Sequence, residues 1–255
     1  MTGEVFDAPA FGTADADFSR VDKARLVNAL ARVVPAASLL HDVEDLRPYE
    51  CDGMAALRQV PMVVVLPETE AQVVDILKIC AAQGVPVVAR GAGTGLSGGA
   101  QPHRFGLVLS LARLKKILNI DAHARRAVVQ PGVRNLAISE AAAPYGLYYA
   151  PDPSSQIACT IGGNVAENSG GVHCLKYGLT IHNLLKVRGV SIAGDIVEFG
   201  SLALDAPGYD LLPLITGSEG MLAVVTEVTV KLTPKPQLAQ CVLAAFDDVV
   251  KAGDA

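Results

Sequence analysis

Between Ala89 and Gly99 the chain reads Ala89-Arg90-Gly91-Ala92-Gly93-Thr94-Gly95-Leu96-Ser97-Gly98-Gly99. Repeated glycines remove the Cβ atoms that keep an anion off the backbone, so consecutive N–H groups can close around phosphate oxygens in a concave nest. Thr94 and Ser97 add hydroxyl donors, and Arg90 adds positive charge. The run also contains G-x-G-x-x-G at Gly93, Gly95 and Gly98. A Rossmann-type nicotinamide site needs a helix opening inside that motif and an acidic residue at the end of the next strand. Gly98-Gly99-Ala100-Gln101-Pro102 predicts no helix, and the nicotinamide reading fails on that context. Taken alone, the loop has a second reading as a mobile surface turn.

Two further segments carry the same signature. Pro151-Asp152-Pro153-Ser154-Ser155 is followed by Thr160-Ile161-Gly162-Gly163-Asn164-Val165-Ala166-Glu167-Asn168-Ser169-Gly170-Gly171, and Gly217-Ser218-Glu219-Gly220 comes later. Asn164 and Asn168 are spaced one helical turn apart, so their amides are expected on one face. Three such regions exceed what ordinary turns require and suit one long ligand with phosphate, sugar and ring parts.

The elements that position these segments read as follows. A helix is expected from about Ser19 to Val34, with Val21, Leu26, Leu30 and Val33 on one face. Asp42 to Gln59 is irregular. Met62–Leu66 is strand-like, Thr69 and Gln72 form a capping box, and Val73, Ile76, Leu77 and Cys80 give the next helix an apolar stripe. Gly84 stops that helix and Pro86–Ala89 forms a second strand, a right-handed βαβ unit with parallel strands. Further strands are expected at Leu107–Leu111, Ala127–Gln130 and Leu222–Leu232, with a hairpin of Leu185–Ile192 and Ile196–Phe199 around Ala193-Gly194-Asp195. Helices are expected at Asn135–Ala143 and Leu211–Thr216. Pro234-Lys235-Pro236 reads as a boundary. After it, Cys241–Phe246 reads as a strand and Asp247 as the N-cap of a helix. A lone strand and half a helix cannot bury their apolar faces, so the chain reads as truncated at the start of a second domain.

Composition narrows the class. The 255 residues are 51% hydrophobic and 18% charged, with a net charge of −5. That supports a packed core and argues against a nucleic-acid partner. Cys51, Cys80, Cys159, Cys174 and Cys241 are scattered, odd in number and without C-x-x-C, which predicts reduced thiols in a cytoplasmic setting. The acidic N-terminus has no signal-peptide pattern, and no run reaches membrane-helix length. A soluble protein is expected, with peripheral membrane association only through partners.

In this order and combination the three regions resemble the FAD-binding domain of the vanillyl-alcohol-oxidase-type flavoproteins, over about Val60 to Pro236. Within that superfamily, Gly163 to Gly178 is similar to the FAD subunits of bacterial glycolate oxidases, with D-lactate and D-2-hydroxyglutarate dehydrogenases as relatives. The resemblance implies an α+β fold of two subdomains, a small one with the parallel βαβ unit and a larger mixed or antiparallel one, with FAD between them. It implies that Arg90, Gly91, Ala92, Gly93, Thr94, Gly95 and Leu96 hold the pyrophosphate. It places Pro151, Asp152, Ser155, Thr160, Gly162, Gly163, Asn164, Asn168, Gly170 and Gly171 on the flavin side, and Glu219, Val224 and Val225 on the adenosine side. One departure is Ala223, where the wider pattern usually has glycine. The implied organisation is a tail and helix over 1–59, the FAD-binding domain over 60–236 and the start of a substrate domain over 237–255.

The implied activity is oxidation of a small 2-hydroxy acid of glycolate or D-lactate type by hydride transfer to flavin, with electrons passed on to an iron–sulfur partner. No catalytic base is assigned, because the resemblance places base, carboxylate clamp and any metal ligands in the second domain. His173, Cys174 and His182 fit no zinc spacing and read as structural, so no metal site is expected. No histidine lies in Gly91–Gly99 for a covalent flavin link, and Cys159 is the one thiol in the flavin region. Lys176 and Tyr177 serve either the loop's structure or the substrate carboxylate. An oxygen-using alcohol oxidase on the same scaffold, or an FAD-holding electron-transfer module without catalysis, are the alternatives.

Overall fold

A computed structural model of the chain describes residues 17–203, 208–238 and 240–255; the tail expected over 1–16 lies outside them. The expected single helix at the start is split. Asp17 caps a 3₁₀ turn over Phe18–Arg20, Val21 is extended, and Asp22 caps α1 (Lys23–Leu30) by accepting from Arg25 N at 3.1 Å. Two competing aspartate caps a few residues apart start two helices instead of one. Leu26 and Leu30 bury the inner face of α1.

The small subdomain continues with β1 (Leu39–Leu40), α2 (Val43–Leu46), β2 (Val63–Val65), α3 (Glu70–Gln83), β3 (Val87–Arg90) and β4 (Leu107–Ser110). Its sheet has the order β1-β2-β4-β3. β2 and β3 run parallel as expected but are not neighbours, because β4 lies between them and pairs with both. Alternate side chains explain the all-buried β2: Val63 and Val65 face α1 and α3, while Val64 packs with Val108 against Leu46. The stretch read as irregular therefore supplies the cover for the sheet's second face. Thr69 Oγ1 accepts from Gln72 N at 3.2 Å, but Gln72 Oε1 accepts from Glu68 N, so the capping box closes one residue early. Gly84, with φ of 63°, ends α3.

The larger subdomain comprises β5 (Ile117–Asp121), β6 (Arg126–Val129), α4 (Asn135–Ala142), β7 (Leu147–Tyr148), α5 (Ile161–Glu167), α6 (Cys174–Tyr177), β8 (Leu184–Val190), β9 (Ile196–Gly200), α7 (Leu212–Ile215), β10 (Val224–Lys231) and β11 (Thr233–Pro234). Its antiparallel sheet has the order β5-β6-β10-β8-β9, and β11 pairs with β7. Ile138, Ile161, Val165, Leu212 and Ile215 pack against Val187, Val228 and Val230 in a second core. The α+β architecture is the one expected: a small subdomain built on the parallel strands β2, β4 and β3, edged by antiparallel β1, and a larger antiparallel one. The strand expected at Cys241–Phe246 does not form: the described residues there are exposed and unpaired, and Asp248, not Asp247, caps α8 (Val249–Asp254).

The subdomains share core and charge. Val190 and Val224, on the large sheet, bury themselves in the small subdomain's core. Arg188 forks onto Glu70 at the start of α3, with both Nε and Nη2 at 2.9 Å, and Nη1 reaches Glu198 at 3.0 Å. The Thr226 hydroxyl donates to the same Glu70 carboxylate at 2.6 Å. The Arg188 hydrogen bond, opposed by partial burial and helped by Thr226, holds the Glu70 carboxyl below the ordinary glutamate range. A carboxyl lowered on folding stabilises above its unfolded value and loses that contribution as pH falls through its folded value. Arg188→Met is expected to cost about 1–2 kcal/mol near neutral pH, a discounted value for a partly exposed pair. The same variant should also show a flatter loss of stability below about pH 4.3. Chemical denaturation at a series of pH values checks both, and an unchanged acid limb would contradict them.

Candidate cofactor-binding site

A cleft of about 560 Å³ lies between the two subdomains, at the carboxyl ends of β3 and β4 and against α5. All three glycine-bearing segments reach it, and they do so by converging on α5. Arg134, just before α4, bridges to Thr160, and Ile161 N and Gly162 N donate to Val133 O and Pro131 O, so the strand-to-helix turn after β6 fixes where α5 begins. A Cβ on Gly91 would stand 2.5 Å from Thr160 Oγ1 and 3.5 Å from Gly163 N. The Ser97 hydroxyl donates to Glu167 Oε1 at 2.9 Å, closing the far end of the first loop onto the end of α5. From the third segment, Gly217 N donates to Val165 O at 2.8 Å and Glu219 N to Ala166 O at 2.9 Å. Glu219 adopts φ of 53° to make that contact.

The cleft is lined by Arg90, Gly91, Ala92, Gly93, Thr94, Gly95 and Leu96, by Ser155, Thr160, Gly162, Gly163, Asn164, Gly170 and Gly171, and by Glu219 and Val225. Four of the residues assigned through the resemblance are elsewhere. Pro151 is turned to α4, where its carbonyl accepts from Asn135 Nδ2 at 3.1 Å. Asp152 lies behind the wall, accepting from His173 N and meeting His173 Nδ1 at 2.7 Å. Asn168 ends α5 in a left-handed conformation (φ of 55°), which takes it off the face of Asn164, and its Oδ1 accepts from Ile181 N. Val224 points into the small subdomain's core, since neighbours on a strand face opposite ways and Val225 takes the cleft side.

The lining also includes Asp52, Leu111 and Pro131, which the motif reading did not reach, together with Glu167 of the second motif, Cys159 of the flavin region and the departing Ala223. Asp52 belongs to the segment read as irregular, so no spacing rule points to it. Arg90 is buried, donates from Nη1 to Cys51 O at 2.7 Å and lies over the Tyr49 ring. Its guanidinium fills the space a Cβ on Gly93 would need, and Gly93 takes φ of 71° above it. Burial pulls the Arg90 pKa down, and Cys51, Tyr49 and Asp52 oppose that pull. Arg90 is the one lysine or arginine of the lining, against the carboxylates of Asp52, Glu167 and Glu219. Burial, then the proximity of Glu167 and Asp52, pushes the Glu219 carboxyl up. The Cys159 thiol is likewise raised, chiefly by burial.

The chain fold brings Asp152 to His173 as a carboxylate partner. His182 Nδ1 accepts from Leu179 N at 3.0 Å, a structural bond. Lys176 and Tyr177 stand off the cleft and line a separate groove with Arg125, His182 and Lys231. Among the described residues no group of three or more His, Cys, Asp or Glu is arranged to hold a metal, and no helix is long and apolar enough to cross a membrane.

With this geometry established, comparison with known proteins defines the class. An FAD binding domain family model matches residues 61–200. The glycolate oxidase subunit GlcD of Escherichia coli K12 is 62% identical over 233 residues, 91% of this chain and 47% of the relative. The GlcD of Bacillus subtilis is 44% identical over 202 residues (79% and 43%), and a D-lactate dehydrogenase of Archaeoglobus fulgidus is 41% identical over 174 residues (68% and 39%). A solved alkyldihydroxyacetonephosphate synthase superposes with a TM-score of 0.76 at 21% identity, over 88% of this chain and 44% of that one. The chain belongs to the FAD binding domain family, and its cofactor is FAD. It spans about half the length of the curated relatives it matches.

The cleft fits such a group chemically. Buried Asp52 Oδ2, Thr160 Oγ1 and Asn164 Nδ2 have no hydrogen-bond partner among the described residues, and all three residues line it. Buried polar atoms are rarely left unpaired without a ligand or water to meet them. The backbone from Gly91 to Gly95 supplies the open N–H surface a diphosphate needs.

Proposed function

We propose that this chain is the FAD-holding part of an oxidoreductase acting on a small 2-hydroxy acid of glycolate or D-lactate type, with the cleft between the subdomains as the cofactor's seat. The observation that carries this is the convergence of the Gly91–Leu96, Thr160–Gly171 and Gly217–Glu219 segments on α5, with unpaired buried polar atoms between them. Arg90 and the Gly91–Gly95 backbone would bind the diphosphate, Thr160 and Asn164 would hydrogen-bond the flavin end, and Val225 and Ala223 would give an apolar wall. When bound, the flavin supplies a two-electron acceptor for the hydride on the hydroxyl-bearing carbon. The protein's share is binding, orientation and exclusion of water.

The named relatives support the substrate class: one is a glycolate oxidase subunit and another a D-lactate dehydrogenase. The word subunit supports transfer of electrons to a partner, for which an iron–sulfur protein is proposed. Residues 60–236 are proposed as the FAD-binding unit and 237–255 as the beginning of a substrate domain. The five free cysteines accord with a cytoplasmic setting.

The test is the visible spectrum of the purified chain before and after acid precipitation. Flavin colour released into the supernatant is expected, because burial keeps the Cys159 thiol protonated and therefore a poor nucleophile. Colour retained in the pellet would assign a covalent link to Cys159, and absence of colour after incubation with FAD would refute the seat. Anaerobic bleaching of the whole protein by glycolate or D-lactate tests the substrate class, and bleaching by neither refutes it.

A further inference from the structure

The family match begins at residue 61, yet one wall of the cleft comes from before it. Tyr49, Cys51, Asp52 and Gly53 pass directly beneath the glycine loop. Gly53 N donates to Gly95 O at 2.9 Å, and a Cβ on Gly53 would stand 2.7 Å from that oxygen. Cys51 O takes the Arg90 guanidinium at 2.7 Å. Asp52 between them is 6% exposed. Its Oδ1 accepts from Met54 N at 2.8 Å, while Oδ2 is buried, without a partner among the described residues. Asp52 itself lines the cleft.

A carboxylate oxygen only accepts hydrogen bonds, and leaving one buried and unmet is costly. Arg90 acts on Asp52 through space and is already engaged with Cys51 O, so it does not satisfy that oxygen. Glu167 and Glu219, the other acids of the lining, offer no donor to it when ionised. Phosphate oxygens cannot supply one either, because they too accept. What remains on a flavin dinucleotide near its diphosphate is the hydroxyl set of the two flanking sugar chains. We propose that Asp52 is a cofactor-binding residue whose free carboxylate oxygen receives a sugar hydroxyl of the bound dinucleotide. This rests on the cleft being the FAD seat. It makes the segment Tyr49–Gly53 part of that seat, where it selects for a hydroxylated sugar and against further phosphate at that point.

Asp52→Asn keeps the side chain's shape and an oxygen for Met54 N, but turns the free acceptor into a donor. Titration of the full chain with FAD, followed by flavin fluorescence, is expected to show affinity falling about tenfold or more, the scale of one lost charged hydrogen bond. The melting temperature of the cofactor-free protein should be unchanged. The same titration with ADP and with FMN locates the hydroxyl: a loss shared by ADP assigns it to the ribose, one shared by FMN to the ribityl chain. A loss for FAD that both halves escape would mean that Asp52 only shapes the cleft, overturning the assignment. A lower melting temperature with unchanged FAD affinity would make Asp52 a charge partner for Arg90 and would also overturn it. If Asp52→Asn folds poorly, Asp52→Ser, which retains an acceptor on a shorter arm, gives the same comparison. Failure of the unaltered chain to take up FAD would refute the seat itself and the role of Asp52 with it.

Discussion

Alanine at Gly91 is expected to weaken FAD binding by about tenfold or more, and valine to abolish it, with the cofactor-free chain also losing about 1–3 kcal/mol of stability to the overpacked contact. The Cβ position at Gly91 points at Thr160 Oγ1, 2.5 Å away, with Gly163 N and Cα just beyond at 3.5 and 3.6 Å. Thr160 is buried at the head of α5 and is β-branched, so its side chain has few rotamers into which it can retreat. Relief must come from the backbone, by moving the Gly91–Gly95 loop away from α5 or tilting α5 itself. Either motion opens the space that both segments must define together. Gly98→Ala is the control: φ of 79° there imposes strain, but nothing lies within 4 Å of the added methyl. It should cost about 1 kcal/mol of stability and leave affinity nearly intact. Fluorescence titration beside thermal melts separates the two, and equal affinities for Gly91→Ala and the unaltered chain would refute the wall assignment.

That contrast shows what the sequence could and could not convey. β2, α3 and β3 were legible because their signals are local: an apolar strand run, a threonine cap, a 3.6-residue stripe and a stopping glycine. The insertion of β4 between the two strands was not, since nothing in a strand's own residues tells which parallel neighbour it will choose. β5 was missed because Ile117–Asp121 is an edge strand whose middle residues are exposed, so its apolar pattern is diluted. The Cys241–Phe246 run has strand-forming residues but no sheet edge to join among the described residues, and composition alone cannot supply one.

The site divided along the same line. Backbone-rich segments declared themselves through glycine, and most of their residues do line the cleft. The alternation of strand side chains was available to show that Val224 and Val225 could not both do so. The left-handed end of α5 at Asn168, and the turning of Asp152 onto His173, depend on contacts with distant segments. Asp52 was out of reach for the opposite reason: an aspartate in an irregular stretch is most often a solvated surface residue, and only the fold reveals that this one is buried.

The electrostatics of the cleft make Arg90 the residue on which binding should depend most. A diphosphate placed beside the Gly91–Gly95 backbone would meet three carboxylates, Asp52, Glu167 and Glu219, in the same lining. The loop's N–H groups offset part of that repulsion, but Arg90 is the lining's one full positive charge. Its burial strengthens any ion contact it makes, because little water screens it. Arg90→Leu is therefore expected to lower FAD affinity about a hundredfold, through the lost charge and the Cys51 carbonyl left unpaired. Arg90→Lys retains the charge but not the fork, and cannot keep Cys51 O while also filling the space under Gly93. Its loss should be intermediate, about tenfold. Added salt should change the ratio of the affinities of the unaltered chain and Arg90→Leu only slightly, since a buried ion contact is screened far less than an exposed one. Titrations at two salt concentrations decide the matter. If Arg90→Leu binds FAD as tightly as the unaltered chain, the diphosphate does not lie against the Gly91–Gly95 loop, and the seat has to be sought along another part of the cleft.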